Sequence, residues 1–206
     1  MVFSCSLVAY SFARLRWPGR DLVFGLVLAT MMIPGVVLWI PQFMVFARMP
    51  AFGFQGSEVW VNTFLPLIVP PLLAGSSFNI FLFRQYMRGI PASLSESARI
   101  DGASDLQIYA RIILPLSKPV LATVAVLTFQ GGWQDFMGPL IYLQSERLYT
   151  LQLGLRQFEF AAGGSPAWNW IMAASLVVML PVIIVFLVFQ RYFMEGMSVT
   201  GSGISK

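Results

Sequence analysis

Four long stretches almost free of charge constrain this chain more than any other feature. Leu22–Ala47 and Val59–Phe83 contain no Asp, Glu, Lys or Arg; Pro119–Leu143 contains Asp135 alone; Phe160–Gln190 is again uncharged, densest in apolar residues from Trp170 to Phe189. Crossing the hydrocarbon of a bilayer takes about 20 such residues, and within lipid a helix satisfies its own backbone hydrogen bonds. Each stretch therefore predicts a membrane helix, with spans placed at 22–46, 59–83, 119–143 and 168–190. The chain is 57% hydrophobic and only 11% charged, against about 25% charged in an ordinary soluble domain. Its solvent is mostly lipid.

Residues 1–13 are also apolar and are followed by Arg14, Arg16 and Arg20. A secretory signal carries its positive charges before the apolar core, and this stretch is too short to cross a bilayer. It reads as the end of a span whose beginning is absent, or as a short interfacial helix. The expected fold is an all-α integral membrane protein, a polytopic helical bundle of four full spans plus an N-terminal partial span, in one transmembrane domain over 1–206. Placing the loop 14–21 in the cytoplasm also puts 84–118 and the tail 191–206 there. That arrangement collects Arg14, Arg16, Arg20, Arg84, Arg88, Arg99, Arg111, Lys118, Arg191 and Lys206 inside and leaves only Arg48, Arg147 and Arg156 outside. Cytoplasmic loops carry the excess of Lys and Arg, so this orientation is the expected one.

The same charge excludes other functions. The net charge is +4, but the basic residues are scattered at span ends, whereas a nucleic-acid surface needs them clustered. There is no histidine and one cysteine, Cys5. Neither a disulfide framework nor a Cys/His metal site can be assembled, and an enzyme lacks its usual bases and ligands. Prolines inside the runs, Pro34, Pro41, Pro66, Pro70, Pro71, Pro139 and Pro181, fit kinked packing helices or kinks that shape a pathway. Trp39, Trp60, Trp168 and Trp170 lie near span ends as interfacial anchors, and Met31-Met32 fits ordinary packing.

One segment differs from the other loops. Residues 91–118 form a charged cytoplasmic loop with two helix-start signatures, Ser93-Leu94-Ser95-Glu96 and Ser104-Asp105-Leu106-Gln107, each a capping box in which serine and the acid or amide three residues on satisfy reciprocal backbone donors. Gly102 lies between them, where a helix needs a left-handed residue to stop, and Pro115 limits the second helix. Two short helices near 94–101 and 104–113 are expected. The second should turn Leu106, Tyr109, Ile112 and Ile113 to one side, lying against the membrane or its own bundle. The first is smaller and polar, with Glu96, Ser97, Arg99 and Asp101. It fits equally a well-capped connector and a helix that docks in a partner's groove.

The spacing Glu96-Ser97-Ala98, Asp101-Gly102-Ala103 and Ile112-Ile113-Leu114-Pro115 resembles the cytoplasmic "EAA" motif of ABC-importer permeases. Three further segments resemble the carbohydrate-type branch related to the smaller membrane subunit of maltose importers: Ala13–Arg20, Trp133-Gln134-Asp135-Phe136 with Pro139-Leu140, and Phe193–Met197 through Gly201 to Lys206. Ser97 stands where that family usually has alanine. The resemblance implies a MetI-like permease fold in a bacterial or archaeal inner membrane. It implies that Glu96, Ser97, Ala98, Asp101, Gly102, Ala103, Ile112, Leu114 and Pro115 couple the chain to an ABC ATPase. Closure of two ATPase subunits would then switch this subunit and a second permease subunit between inward-open and outward-open states. An extracytoplasmic substrate-binding protein would deliver a sugar or oligosaccharide. Relatives usually have six spans, so the chain is expected to be N-terminally short.

The residues agree with that division of labour. No G-x-x-x-x-G-K-[ST] loop is present, so ATP is expected on a separate subunit, and the chain itself needs no cofactor or metal. Asp135 is the one acid within a span, where charges usually face a bundle interior or water. With Trp133 and Gln134 it could line the translocation pathway, where a sugar offers hydroxyls to polar groups and a ring face to an aromatic. Capping a helix end accounts for it as well. Gly131-Gly132 could permit close helix packing or a break. An ATP-independent secondary transporter or channel is the alternative; it would usually show more ionisable residues within its spans.

Overall fold

A computed structural model describes residues 1–160 and 168–201, with side chains for all of these except 157–160 and 191–201. Residues 161–167, within the fourth apolar run, and the tail end 202–206 lie outside the described residues, as do the side chains of Phe193–Met197. Among the described residues every regular element is helical, with one isolated bridge between Pro50 and Val59. The helices are α1 (Val2–Arg14), α2 (Arg20–Thr30), α3 (Gly35–Phe46), α4 (Leu65–Leu72), α5 (Ser77–Gly89), α6 (Ala92–Ile100), α7 (Asp105–Ile108), α8 (Leu114–Leu116), α9 (Lys118–Trp133), α10 (Met137–Tyr142), α11 (Leu151–Phe160) and α12 (Trp168–Gly201).

By length and apolarity, Leu65–Gly89 and Trp168–Gln190 can each cross a membrane, and the number rises to four if the broken pairs α2 with α3 and Asp105–Leu116 with α9 each count as one span. The second apolar run begins its helix at Leu65, not Val59. Asn62 stands in the left-handed region at φ 63, which interrupts any helix there. After a break at residues 73–76, where Ala74 has φ 62, α5 runs past Arg84 and Arg88 to Gly89; Arg84 is itself buried and partnered. Charge was therefore a poor marker of this helix's end. The third run breaks between α9 and α10, at residues 134–136 and not at Gly131-Gly132. A Cβ on either glycine would meet nothing within 4 Å, so neither marks a close approach among the described residues.

The chain divides into two compact units. Unit 1 comprises residues 1–33, 71–128 and 189–206. Its core gathers Cys5, Ala9, Tyr10, Phe12, Phe24, Ile80, Phe83, Met87, Ala98, Ile108, Tyr109, Ile113, Val120 and Val124. Helices α1 and α5 run parallel here: Cys5 Sγ approaches the Ser76 carbonyl at 3.9 Å near the start of each, and Arg14 donates to the Met87 and Ile90 carbonyls at their ends. A cation at the last carbonyls of a helix meets the negative end of its dipole. Arg84 donates to the Phe12 carbonyl at 3.4 Å and lies 3.8 Å above the Phe24 ring. Both helices thus end in arginine on one side, which agrees with placing 14–21 and 84–118 on the same face of the membrane.

Unit 2 comprises residues 34–70 and 129–188. Phe46 stacks on Trp60 at 5.4 Å and meets Tyr142 edge-on at 5.5 Å. Asn62 is its fastener: its N–H donates to the Tyr142 carbonyl at 2.7 Å, and its side-chain oxygen accepts from the Gln144 and Ser145 amides at 3.0 and 2.8 Å. Asparagine tolerates φ > 0 better than most residues, so one side chain supplies both the turn and the link. Trp133 Nε1 donates to the Val178 carbonyl at 2.9 Å, one residue from the Val177 carbonyl whose helical donor Pro181 cannot supply.

Candidate functional site

The charged loop is built entirely within unit 1. Pro91 turns the chain into α6 at φ −54 and ψ 135. Its ring pre-sets φ for a helix start, so α6 covers Ala92–Ile100 and not 94–101. The expected capping box at Ser93–Glu96 does not form: Ser93 is already inside the helix, and no side chain caps the first turn.

The other end of α6 closes as the glycine spacing requires. Gly102 has φ +83, its N–H donates to the Arg99 carbonyl at 3.1 Å, and the Ala103 N–H donates to the Ala98 carbonyl at 2.9 Å. These are the two bonds of a Schellman closure, which needs a left-handed residue at this position. The second capping box is complete: Ser104 Oγ accepts from the Gln107 N–H at 3.4 Å, and Gln107 Oε1 accepts from the Ser104 N–H at 2.8 Å. Arg99 Nη2 lies 2.8 Å from Asp105 Oδ1 across the turn, and that hydrogen bond raises the guanidinium's pKa.

The second helix runs further than expected. After α7 it widens into a π turn over Tyr109–Ile113 and continues as α8 through Pro115 to Leu116. Pro115 has no N–H to offer a carbonyl four residues back, and the wider turn lies directly before it. The packed face changes in consequence. Ile108 and Ile113 are fully buried and five apart, the repeat of a π turn, while Leu106, expected on that face, is 67% exposed. Tyr109 is buried against α1, its hydroxyl 2.7 Å from Ser6 Oγ, and Tyr10 donates to the Asp105 carbonyl at 3.1 Å.

The motif residues separate by face. Ala98 is buried and Ala103, Ile112 and Leu114 half-buried, while Glu96, Ser97, Asp101, Gly102 and Pro115 are exposed. The loop also exposes Leu94, Ile100 at 86% and Leu106. A reading of α6 as simply polar missed Leu94 and Ile100; the signal was their place beside Glu96 and Asp101 on a helix with only Ser95 and Ala98 buried.

Trp133 and Gln134 lie in unit 2, at a cavity of about 240 Å³ that Gln152 and Ser175 also line. Asp135 is not among its lining residues. Its Oδ1 accepts from the Gly138 N–H at 3.0 Å, three residues on at the start of α10, the geometry of a helix cap. A Cβ on Gly138 would collide with Asp135 Oδ2 and press on Leu67.

Comparison with known proteins places this architecture. A family profile described as "Binding-protein-dependent transport system inner membrane component" matches residues 5–199. The arabinooligosaccharides transport system permease protein AraQ of Bacillus subtilis is 35% identical over 200 residues, covering 97% of this chain and 66% of that protein. The sn-glycerol-3-phosphate transport system permease protein UgpE of Pectobacterium atrosepticum is 36% identical over 191 residues, covering 93% and 64%. The chain thus spans about two thirds of the length of these relatives. A chain in the crystal structure of a bacterial ABC transporter involved in the import of the acidic polysaccharide alginate superposes with a TM-score of 0.74 at 28% identity, over 92% of this chain and 69% of that one.

Proposed function

We propose that this chain, which belongs to the family of binding-protein-dependent transport system inner membrane components, is a membrane-spanning permease subunit of an ATP-driven importer for a sugar or oligosaccharide. The observation that carries the reading is α6: a short helix closed by Gly102 at φ +83, anchored through Ala98, with Glu96 and Asp101 exposed beside Leu94 and Ile100. A helix that buries one narrow side and offers mixed charged and apolar groups on the other suits insertion in a partner's groove.

In this reading α6 docks into a cleft of an ABC ATPase, with Glu96, Ser97 and Asp101 gripping it. Ala98, Ala103, Ile112, Leu114 and Pro115 hold the helix on the permease body. ATP binds and is hydrolysed on that separate subunit, and the chain carries no cofactor of its own. A second permease subunit and an extracytoplasmic binding protein complete the assembly. The chain acts as one multi-pass transmembrane domain of the inner membrane, with spans at Leu65–Gly89 and Trp168–Gln190, broken spans in the runs 22–46 and 119–143, and a cytoplasmic tail at 191–206. Trp133 and Gln134, with the neutral donors Gln152 and Ser175, offer a sugar stacking and hydroxyl contacts without the cost of a charge in lipid. The relatives named for arabinooligosaccharide and glycerol-3-phosphate transport and the alginate importer support a polyol or sugar cargo.

Co-purification with candidate ATPase subunits tests the assignment. Glu96→Arg and Gly102→Val should lose both assembly and transport-coupled ATP hydrolysis while the chain still inserts in the membrane. Full coupling in both variants would sink the docking role, and transport without any ATPase would favour a secondary transporter or channel.

A further inference from the structure

We propose that unit 1 carries an anion site for the phosphate of an anionic phospholipid headgroup, between the α1–α2 turn and the start of α6. A cavity of about 490 Å³ opens there, and Arg14, Arg16, Arg20 and Arg99 line it against a single carboxylate, Glu96. Arg20 and Arg99 each hold a carboxylate outside the lining, Asp21 and Asp105. Arg14 is bound to the Met87 and Ile90 carbonyls. Arg16 has no hydrogen bond or ion pair among the described residues. Exposed Glu96 cannot balance this concentration of positive charge.

Two independent features agree with the charge. Among the described residues, three buried side-chain polar atoms lack a hydrogen-bond partner, and two of them, Arg14 Nε and Ser95 Oγ, belong to residues lining this cavity. Ser95 is only 5% exposed, and a buried polar atom left unpaired calls for a missing partner. In addition, α6 begins at the cavity, where Ala92 lines it, and its first turn has no side-chain cap. Uncapped N–H groups and the positive end of a helix favour an anion; four arginines and an orphan hydroxyl make the place a site rather than a helix end alone.

The surroundings select a lipid over a free ion. Arg14 closes an apolar helix, Trp17 follows it, and α2 exposes Leu22 at 74%, Val23 and Leu26 at 62%. An apolar surface of this kind beside a basic pocket matches acyl chains below a headgroup, and basic pockets on the cytoplasmic side are general binding places for anionic lipid. Because the pocket is lined by Ala92, Ser95, Glu96 and Arg99 of α6, a bound headgroup would set how that helix stands on the body. The binding itself does not depend on the transport assignment.

Native mass spectrometry of the full chain, released from nanodiscs of phosphatidylcholine containing phosphatidylglycerol or phosphatidylethanolamine, tests this. Phosphatidylglycerol should be retained selectively, and Arg16→Gln should lower its affinity about five-fold, the effect of about 1 kcal/mol per basic residue near a membrane surface. Ser95→Ala should weaken retention as well, whereas Arg147→Gln, outside the pocket, should leave it unchanged. Thermal unfolding in detergent with inorganic phosphate distinguishes the source. Equal retention of all three lipids, equal losses in Arg16→Gln and Arg147→Gln, or inorganic phosphate stabilising the chain as well as phosphatidylglycerol does, would each overturn the proposal.

Discussion

Arg99 Nη2 and Asp105 Oδ1 stand 2.8 Å apart across the Gly102 turn, joining the end of α6 to the start of α7. The two side chains are 46% and 52% exposed, so water screens most of their attraction, and pairs of this kind contribute about 0.2–1 kcal/mol. A double-mutant cycle with Arg99→Ala and Asp105→Ala should return a coupling within that range and shrink in high salt. A coupling of several kcal/mol would mean that the pair, and not the turn, holds α6 in place.

Gly102 is where the backbone decides. A Cβ there would meet nothing within 4 Å, but φ is +83, so Gly102→Ala is strained without being crowded. The left-handed cost is about 1–2 kcal/mol. Gly102→Asn should retain most of the stability, since asparagine visits this region more readily. Thermal unfolding should rank Gly above Asn above Ala, and assembly with an ATPase should follow the same order. Equal stability of Ala and Gly would remove the conformational argument.

Tyr109 ties the π turn to α1. Tyr109→Phe removes its 2.7 Å contact with Ser6, while Ser6 Oγ retains the Phe3 carbonyl at 2.9 Å. A loss of about 1 kcal/mol is expected for one internal hydrogen bond. Ser6→Ala should cost a similar amount, and the double variant less than the sum. Strict additivity would show that the two hydroxyls do not interact.

Asp135 separates a cap from a pathway charge. Asp135→Asn retains an oxygen for the Gly138 N–H, whereas Asp135→Ala loses it, at about 1 kcal/mol. Transport of sugar into vesicles should survive the asparagine and fall with the alanine if capping is the role. Equal loss in both would assign the function to the charge.

The chain has no histidine, the side chain that ordinarily titrates between pH 5 and 8. Asp21, exposed, is held below the usual carboxylate value by its hydrogen bond from Arg20. A lowered carboxylate stabilises the fold above its ordinary pKa and loses that effect as pH falls through the lowered value. Unfolding temperature should therefore be flat from about pH 5.5 to 8 and decline only in acid, below about pH 4. A transition near pH 6.5 would show that a group other than these carboxylates governs stability.

Much of the loop was legible because its signals are local. The glycine spacing placed the end of α6, and Ser104–Gln107 formed its capping box, since each rests on bonds between residues two to five apart. The box at Ser93–Glu96 competed with Pro91 for the start of the same helix, and the proline prevailed because its φ is set covalently. Leu106 parts from the buried Tyr109 and Ile113 because helical periodicity assumes 3.6 residues per turn, and the π turn before Pro115 breaks that count. Asn62 escaped notice because a lone polar residue in an apolar run announces neither its positive φ nor partners 80 residues away.

What the sequence determined by itself was the apolar runs of a membrane protein and the spacing of the charged loop's motif, because hydrophobicity and turn chemistry act over neighbouring residues. Only the tertiary structure decided which face of α6 is free, that Asp135 accepts from the Gly138 N–H, and that arginines from the α1–α2 turn meet the uncapped start of α6. Those outcomes depend on which distant helices pack together, and the pairing of α1 with α5, unlike their shared direction, is a property of the folded chain that no local pattern encodes.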